Sequence, residues 1–219
     1  MRPAAQAPQA RPAASAARAL LVDMDGVLRL WPEDDAALER AHGVPPGSLR
    51  ALAFAPALLE PAIRGAISDA QWLAEVAARI AALAPQADAT ALVAAWSAPT
   101  AARLNQPVLA LLRDVRQRLP VVLLSNATSR LSRDLQALGI ADAFDAVVNS
   151  SEVGAIKPEP AIFLHALAQL GMAADEVLFV DDSAAHVEAA RALGLRAERY
   201  VDAEALRDWL LAQGALGEG

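Results

Sequence analysis

Residues 19–26 read ALLVDMDG: four apolar residues, two aspartates spaced two apart, and a glycine. A short apolar run that breaks into acids reads as a strand buried on both faces, delivering polar groups at its carboxyl end. The same grammar returns in VVLLSN at 121–126, AVVNS at 146–150 and EVLFVDD at 176–182. Helical stretches lie between these runs: TSRLSRDLQALG, PEPAIFLHALAQLG and SAAHVEAARALG, each closed by glycine, the usual residue past a helix terminus. Strands alternating with helices of this length imply right-handed crossovers and a mostly parallel sheet covered on both faces. The expectation is an α/β, Rossmann-like three-layer core.

Ligands bind such sheets at the carboxyl ends of the strands. Asp23, Asp25, Ser125, Asn126, Asp181 and Asp182 all fall there, although they are scattered over most of the chain. Asp23 and Asp25 are two apart, so an extended strand end would point both to one side.

From Trp31 to Asn105 the pattern changes. DDAALERAHG, SDAQWLAEVAARIAAL and ATALVAAW carry helical periodicity, prolines at 45, 46, 56, 61, 85 and 99 punctuate the stretch, and no strand is evident. This is expected to be a helical insert between the first and second core strands. The predicted organisation is a tail over 1–18, a core formed by 19–30 and 106–213, and a small α-helical domain over 31–105.

Composition narrows the classes of function. With no cysteine in 219 residues, disulfides, thiolate zinc sites and a cysteine nucleophile are excluded, and a reducing, cytoplasmic setting fits. A net charge of -7 argues against nucleic acid as a partner. No apolar run approaches the ~20 residues of a membrane span, so no membrane partner is expected. The first eighteen residues hold three arginines, three prolines and no acids, without a signal-type apolar stretch; they read as a disordered tail.

Four carboxylates at one sheet edge raise one another's pKa and need compensation. A hard divalent cation supplies it, and an all-oxygen set suits magnesium. With the charge neutralised, one aspartate could attack phosphorus to form an aspartyl-phosphate while the other of the D-x-D pair protonates the leaving oxygen and then activates water. Ser125 and the amide of Asn126 would hold a phosphoryl oxygen. GAIKPEP at 154–160 contains Lys157, the one lysine of the chain. An ammonium is a compact point charge where guanidinium is a planar fork, so a crowded anionic site can accept the first and refuse the second.

In order and spacing, DMDGVL, LLSN, the lysine of GAIKPEP and VDDS resemble the motifs of the haloacid dehalogenase-like (HAD) hydrolase superfamily, from about Ala19 to Trp209. The helical insert resembles that family's cap, and Val27 stands where a threonine is familiar. The resemblance implies Asp23 as nucleophile, Asp25 as general acid/base, and Ser125, Asn126 and Lys157 as phosphate-binding residues. It also implies magnesium held by Asp23, the backbone carbonyl of Asp25, and Asp182, with Asp181 acting through water. The substrate would be a small phosphorylated metabolite such as a sugar phosphate. A 2-haloacid dehalogenase, a sugar phosphomutase and a non-catalytic phosphometabolite-binding protein are the alternatives. The first needs neither Asp25 nor a metal; the second resembles enzymes with a histidine that RLWPEDDAA lacks.

Of the remaining residues, His165 and His42 are expected at the surface, His186 near the site mouth, and Trp72 and Trp96 in the packing of the insert. Arg29, Arg64 and Arg103 are candidate anion binders, each expected as a surface arginine. Oligomeric state is not readable from the chain.

Overall fold

The computed structural model describes residues 16–98 and 102–217. The expected tail therefore falls outside the described residues up to position 15, as does Pro99. At its described end, Arg18 donates its amide to the Glu176 carbonyl at 2.8 Å and a guanidinium N–H to the Glu176 carboxylate at 3.0 Å.

Five strands form one parallel sheet: β1 (Ala19–Val22), β4 (Val121–Ser125), β5 (Ala146–Asn149), β6 (Val177–Asp181) and β7 (Arg196–Arg199), in spatial order β5–β4–β1–β6–β7. The sheet is the expected α/β core, with one strand more than the apolar runs indicated. Edge strand β7, RAER, has charged residues at three of its four positions and so lacks the apolar signature. Its neighbour β6 is buried at every position.

The period-2 alternation of strands sorts the core into two faces. Leu20, Val22, Leu123 and Val180 face α6 (Gln106–Arg116), α7 (Leu131–Ala137) and α11 (Ala203–Ala212). Leu21, Val122, Leu124 and Phe179 face α9 (Pro160–Leu170) and α10 (Ala184–Ala192). Ala215 and Leu216 join the first cluster, so the buried core runs past residue 213. Gly139, Gly171 and Gly194 end their helical segments in the left-handed region, as the sequence pattern requires.

The segment between β1 and β4 holds α1 (Ala36–Ala41), α2 (Ser48–Ala53), α3 (Pro56–Ile63), α4 (Asp69–Leu83) and α5 (Ala89–Trp96) around a third apolar cluster. Ser68 starts α4 with a reciprocal cap: its hydroxyl accepts the Gln71 amide, and the Gln71 side chain accepts the Ser68 amide. Trp72, Val76 and Ile80, four apart, then bury one stripe. Buried Glu39 is satisfied by the amides of Gly47 and Leu49 at the start of α2.

One expectation is corrected. Arg103–Leu104 within this segment form a short strand, β3, antiparallel to β2 (Arg29–Leu30). A two-residue ribbon is too short to show periodicity, yet it ties the entry and exit of the insert together. The helices also dock on the core: Ser150 donates its hydroxyl to the Ile63 carbonyl at 2.6 Å, Thr128 donates to Asp69 at 2.7 Å, and Arg130 donates to the Ser97 carbonyl at 2.6 Å.

Candidate active site

The parallel register places the ends of β1, β4 and β6 side by side, with Val22 opposite both Leu123 and Val180. The residues that follow must therefore converge. Asp23, Ser125 and Asp181 are buried at these ends, and Lys157 reaches them from the segment before α9. Its side chain is wholly enclosed, and its ammonium donates to Asp23 Oδ1 at 2.7 Å, Asp181 Oδ2 at 2.7 Å and the Leu124 carbonyl at 2.9 Å. All three N–H bonds of the ammonium are thus used. The Asn126 side chain positions that segment, accepting the Lys157 amide at 2.8 Å and donating to the Lys157 carbonyl at 2.9 Å.

Burial pushes the Asp23 carboxyl up to about 6, opposed by Lys157 and reinforced by Asp181. Burial works against the Lys157 ammonium, but the two carboxylates more than offset it and hold its pKa above the ordinary value. For Asp181 burial is likewise outweighed, by hydrogen bonds from His186 and Lys157, and the carboxyl sits low. His186 Nδ1 lies 3.0 Å from both Asp181 oxygens. Asp182 is exposed but raised, chiefly by partial burial of its carboxylate and by the neighbouring Asp181.

Asp23, Asp181 and Asp182 each offer one carboxylate oxygen, all within 4.8 Å of one another. A hard, oxygen-only set of this size with one compensating ammonium fits a divalent cation such as magnesium. Gly26 closes the turn beneath Asp182. Its φ is +84°, and a Cβ there would lie 2.2 Å from an Asp182 carboxylate oxygen. Gly26→Ala should therefore lower stability by about 1–2 kcal/mol, read by thermal or denaturant unfolding. An unchanged midpoint would contradict the close packing.

Asp25 departs from the expected geometry. Strand β1 stops at Val22 and the chain turns before Arg29, so the same-side rule for an extended D-x-D does not apply. The Asp25 carboxylate accepts from Arg29 Nε at 2.6 Å, Arg29 Nη2 at 2.8 Å and Trp31 Nε1 at 2.6 Å. Arg29 is buried instead of at the surface and also donates to Asp134 at 2.9 Å; Arg130 bonds the other Asp134 oxygen at 3.1 Å. A hint was present in the sequence, since Arg29 follows Asp25 by four, but Asp134 is 105 residues away from it. Arg64 pairs with Glu60 and Glu159, and Arg103 is exposed on β3. His165 is exposed as expected, while His42 is half-buried against the Leu38 carbonyl.

A cavity of about 300 Å³ opens between the insert and the core, with Asp25, Asn126 and Thr128 on the core side and Trp72 and Trp96 on the insert side. The two indoles do pack in the insert, their rings 5.9 Å apart, and they also form a wall of this cavity.

A model of the haloacid dehalogenase-like hydrolase family matches residues 17–194. The chain belongs to that family. Among curated relatives, a phosphoglycolate phosphatase of Pectobacterium atrosepticum is 37% identical over 82 residues, covering 37% of this chain and 35% of that protein. A phosphoserine phosphatase of Thermus thermophilus is 40% identical over 91 residues, covering 40% of this chain and 36% of that protein. The chain thus matches about a third of the length of these curated relatives. A HAD family enzyme from Bacteroides thetaiotaomicron, solved in complex with magnesium and inorganic phosphate, superposes with a TM-score of 0.69 at 22% identity, covering 85% of this chain and 95% of that one. At that identity the superposition establishes the fold. Among the described residues, no helix is long and apolar enough to cross a membrane.

Proposed function

We propose that this protein hydrolyses small phosphate monoesters with magnesium as cofactor, in a cytoplasmic setting consistent with its cysteine-free chain. The reading is carried by one observation: a fully enclosed ammonium 2.7 Å from both Asp23 and Asp181, beside an exposed third carboxylate. An ion pair this deeply buried costs desolvation and is weak evidence for stability, so a role in handling anionic charge accounts for it better. The phosphatase names of the curated relatives and the bound magnesium and phosphate of the Bacteroides enzyme support the same reading.

Asp23, Asp181 and Asp182, with the backbone carbonyl of Asp25, would hold the metal. When bound, magnesium supplies the positive charge that lets a carboxylate meet a phosphate dianion. Lys157 holds Asp23 in place and adds charge that a phosphoryl oxygen can share, while Ser125 and the Asn126 amide receive another such oxygen. The Asp23 carboxylate attacks phosphorus, the bond from phosphorus to the ester oxygen breaks, and Asp25, released from its ion pair with Arg29 and protonated from solvent as substrate binds, gives that oxygen a proton. Water then attacks the aspartyl-phosphate, Asp25 takes its proton, the Asp23–phosphorus bond breaks and inorganic phosphate leaves. Residues 31–105 act as the cap, excluding water from the reacting group.

Dehalogenation would leave the acidic trio and the Asp25 carboxylate without work, because halide departs without a proton. Phosphate release from a panel of small monoesters should fall on the order of 10²-fold or more when EDTA replaces magnesium. Release indifferent to EDTA would overturn the metal assignment. No release from any ester, together with chloride release from a 2-haloacid, would replace the phosphatase reading.

A further inference from the structure

The cavity beside Asp25 is walled by rings: Trp31, Phe54, Trp72 and Trp96, with Leu59 and Ile63 between them. Its charged residues are already matched. Arg29 spends its guanidinium on Asp25 and Asp134, Arg130 on Asp134 and the Ser97 carbonyl, and Arg50 on Asp35 and the Pro32 carbonyl. Asp69 accepts from Thr128 and lies 3.8 Å from Arg130. The indole N–H groups of Trp31 and Trp72 are taken by Asp25 and the Ala53 carbonyl. Apart from the Trp96 indole N–H and the Ser97 hydroxyl, which are neutral, the lining without a committed partner is aromatic and aliphatic. Phe54 at the rim is 47% exposed, unusual for so large an apolar side chain, and meets Trp96 edge-on at 5.8 Å.

We infer that the leaving group is an uncharged, ring-bearing alcohol, seated against Phe54, Trp72 and Trp96 with its oxygen toward Asp25. This rests on the phosphatase reading and names its substrate class. A carboxylate-bearing leaving group, as in phosphoglycolate or phosphoserine, would enter a site whose guanidinium groups are already neutralised and would be desolvated without a partner. The volume agrees: about 300 Å³ is roughly twice the ~150 Å³ apolar cavity that takes up benzene. One ring and a short linker fit.

The test compares kcat/KM, with magnesium, for 2-phenylethyl phosphate, ethyl phosphate and phosphoglycolate. Phenylethyl and ethyl phosphates have similar leaving-group basicity, so their ratio reports binding of the ring. Burial of a phenyl group predicts a preference of roughly 30-fold over ethyl phosphate, with phosphoglycolate no better than ethyl. Phe54→Ala should cut the phenylethyl value by about 5-fold more than it cuts the ethyl value. Phosphoglycolate turned over faster than phenylethyl phosphate, or Phe54→Ala lowering both alkyl esters equally, would overturn the inference while leaving the phosphatase intact. Absence of turnover with every ester would strike the phosphatase reading instead. In that case calorimetric binding of 2-phenylethylphosphonate, weakened by Phe54→Ala, would sustain the ring pocket, and no binding would end it.

Discussion

Asp23→Asn is expected to lower magnesium-dependent phosphate release on the order of 10⁴-fold or more, the scale seen when a nucleophile is removed from a preorganised site. The variant should remain folded. Asp23 already sits in surroundings that push its carboxyl up to about 6, so a neutral group of the same shape relieves its repulsion with Asp181 while Lys157 retains Asp181 and the Leu124 carbonyl as acceptors. Circular dichroism and a melting temperature within a few degrees of the parent would establish this. Rapid acid quenching of the parent enzyme should trap covalent phosphate labile to hydroxylamine, as an acyl phosphate is, and the variant should trap none. Turnover within tenfold of the parent would remove Asp23 from the nucleophile's role.

Lys157 carries the second large effect, on stability as well as activity. Lys157→Met preserves the length of the stem but leaves Asp23 and Asp181 facing each other in the interior without a counter-ion. Breaking a buried pair in this way costs about 3–5 kcal/mol, or roughly 6–20 °C in melting temperature for a chain of this size. Lys157→Arg separates charge from shape. The guanidinium keeps the positive charge, but the pocket encloses the lysine side chain completely and places its single nitrogen 2.7 Å from each carboxylate. A planar fork there must displace one of them, and a displacement of about 1 Å is enough to cost ~10²-fold in rate. Near-normal turnover by Lys157→Arg would refute the steric account of why this chain has lysine at that one position.

Much of this protein was legible along the chain. The apolar runs breaking into polar residues located four of the five sheet strands, the glycine-closed helices located the crossovers, and the gap between the first two core strands marked the helical insert. Those signals are local: a buried parallel strand must be apolar throughout, and a helix terminus favours glycine. The spacing of DMDG, LLSN, Lys157 and VDDS was enough to resemble one family, and the family match over residues 17–194 agrees.

Other features depended on contacts between distant residues. RAER at 196–199 is a strand because β6 lies beside it, not because its own residues are apolar. Asp25 and Asp23 read as a same-side pair, yet the chain leaves extended geometry after Val22, and Asp25 turns to Arg29 and Trp31. Arg29 is buried between two carboxylates, Asp25 four residues before it and Asp134, 105 residues along the chain. Periodicity placed Trp72 and Trp96 in the packing of the insert, but it could not show that the same rings also wall a cavity on the core's strand ends. Sequence alone determined the chain order of the four apolar strands and the helices between them, and the chemistry available at the sheet edge, because those follow from side-chain type and spacing. Only the tertiary structure decided which charges neutralise one another and which apolar surface stays open, because both depend on distances that folding sets between residues far apart in the chain.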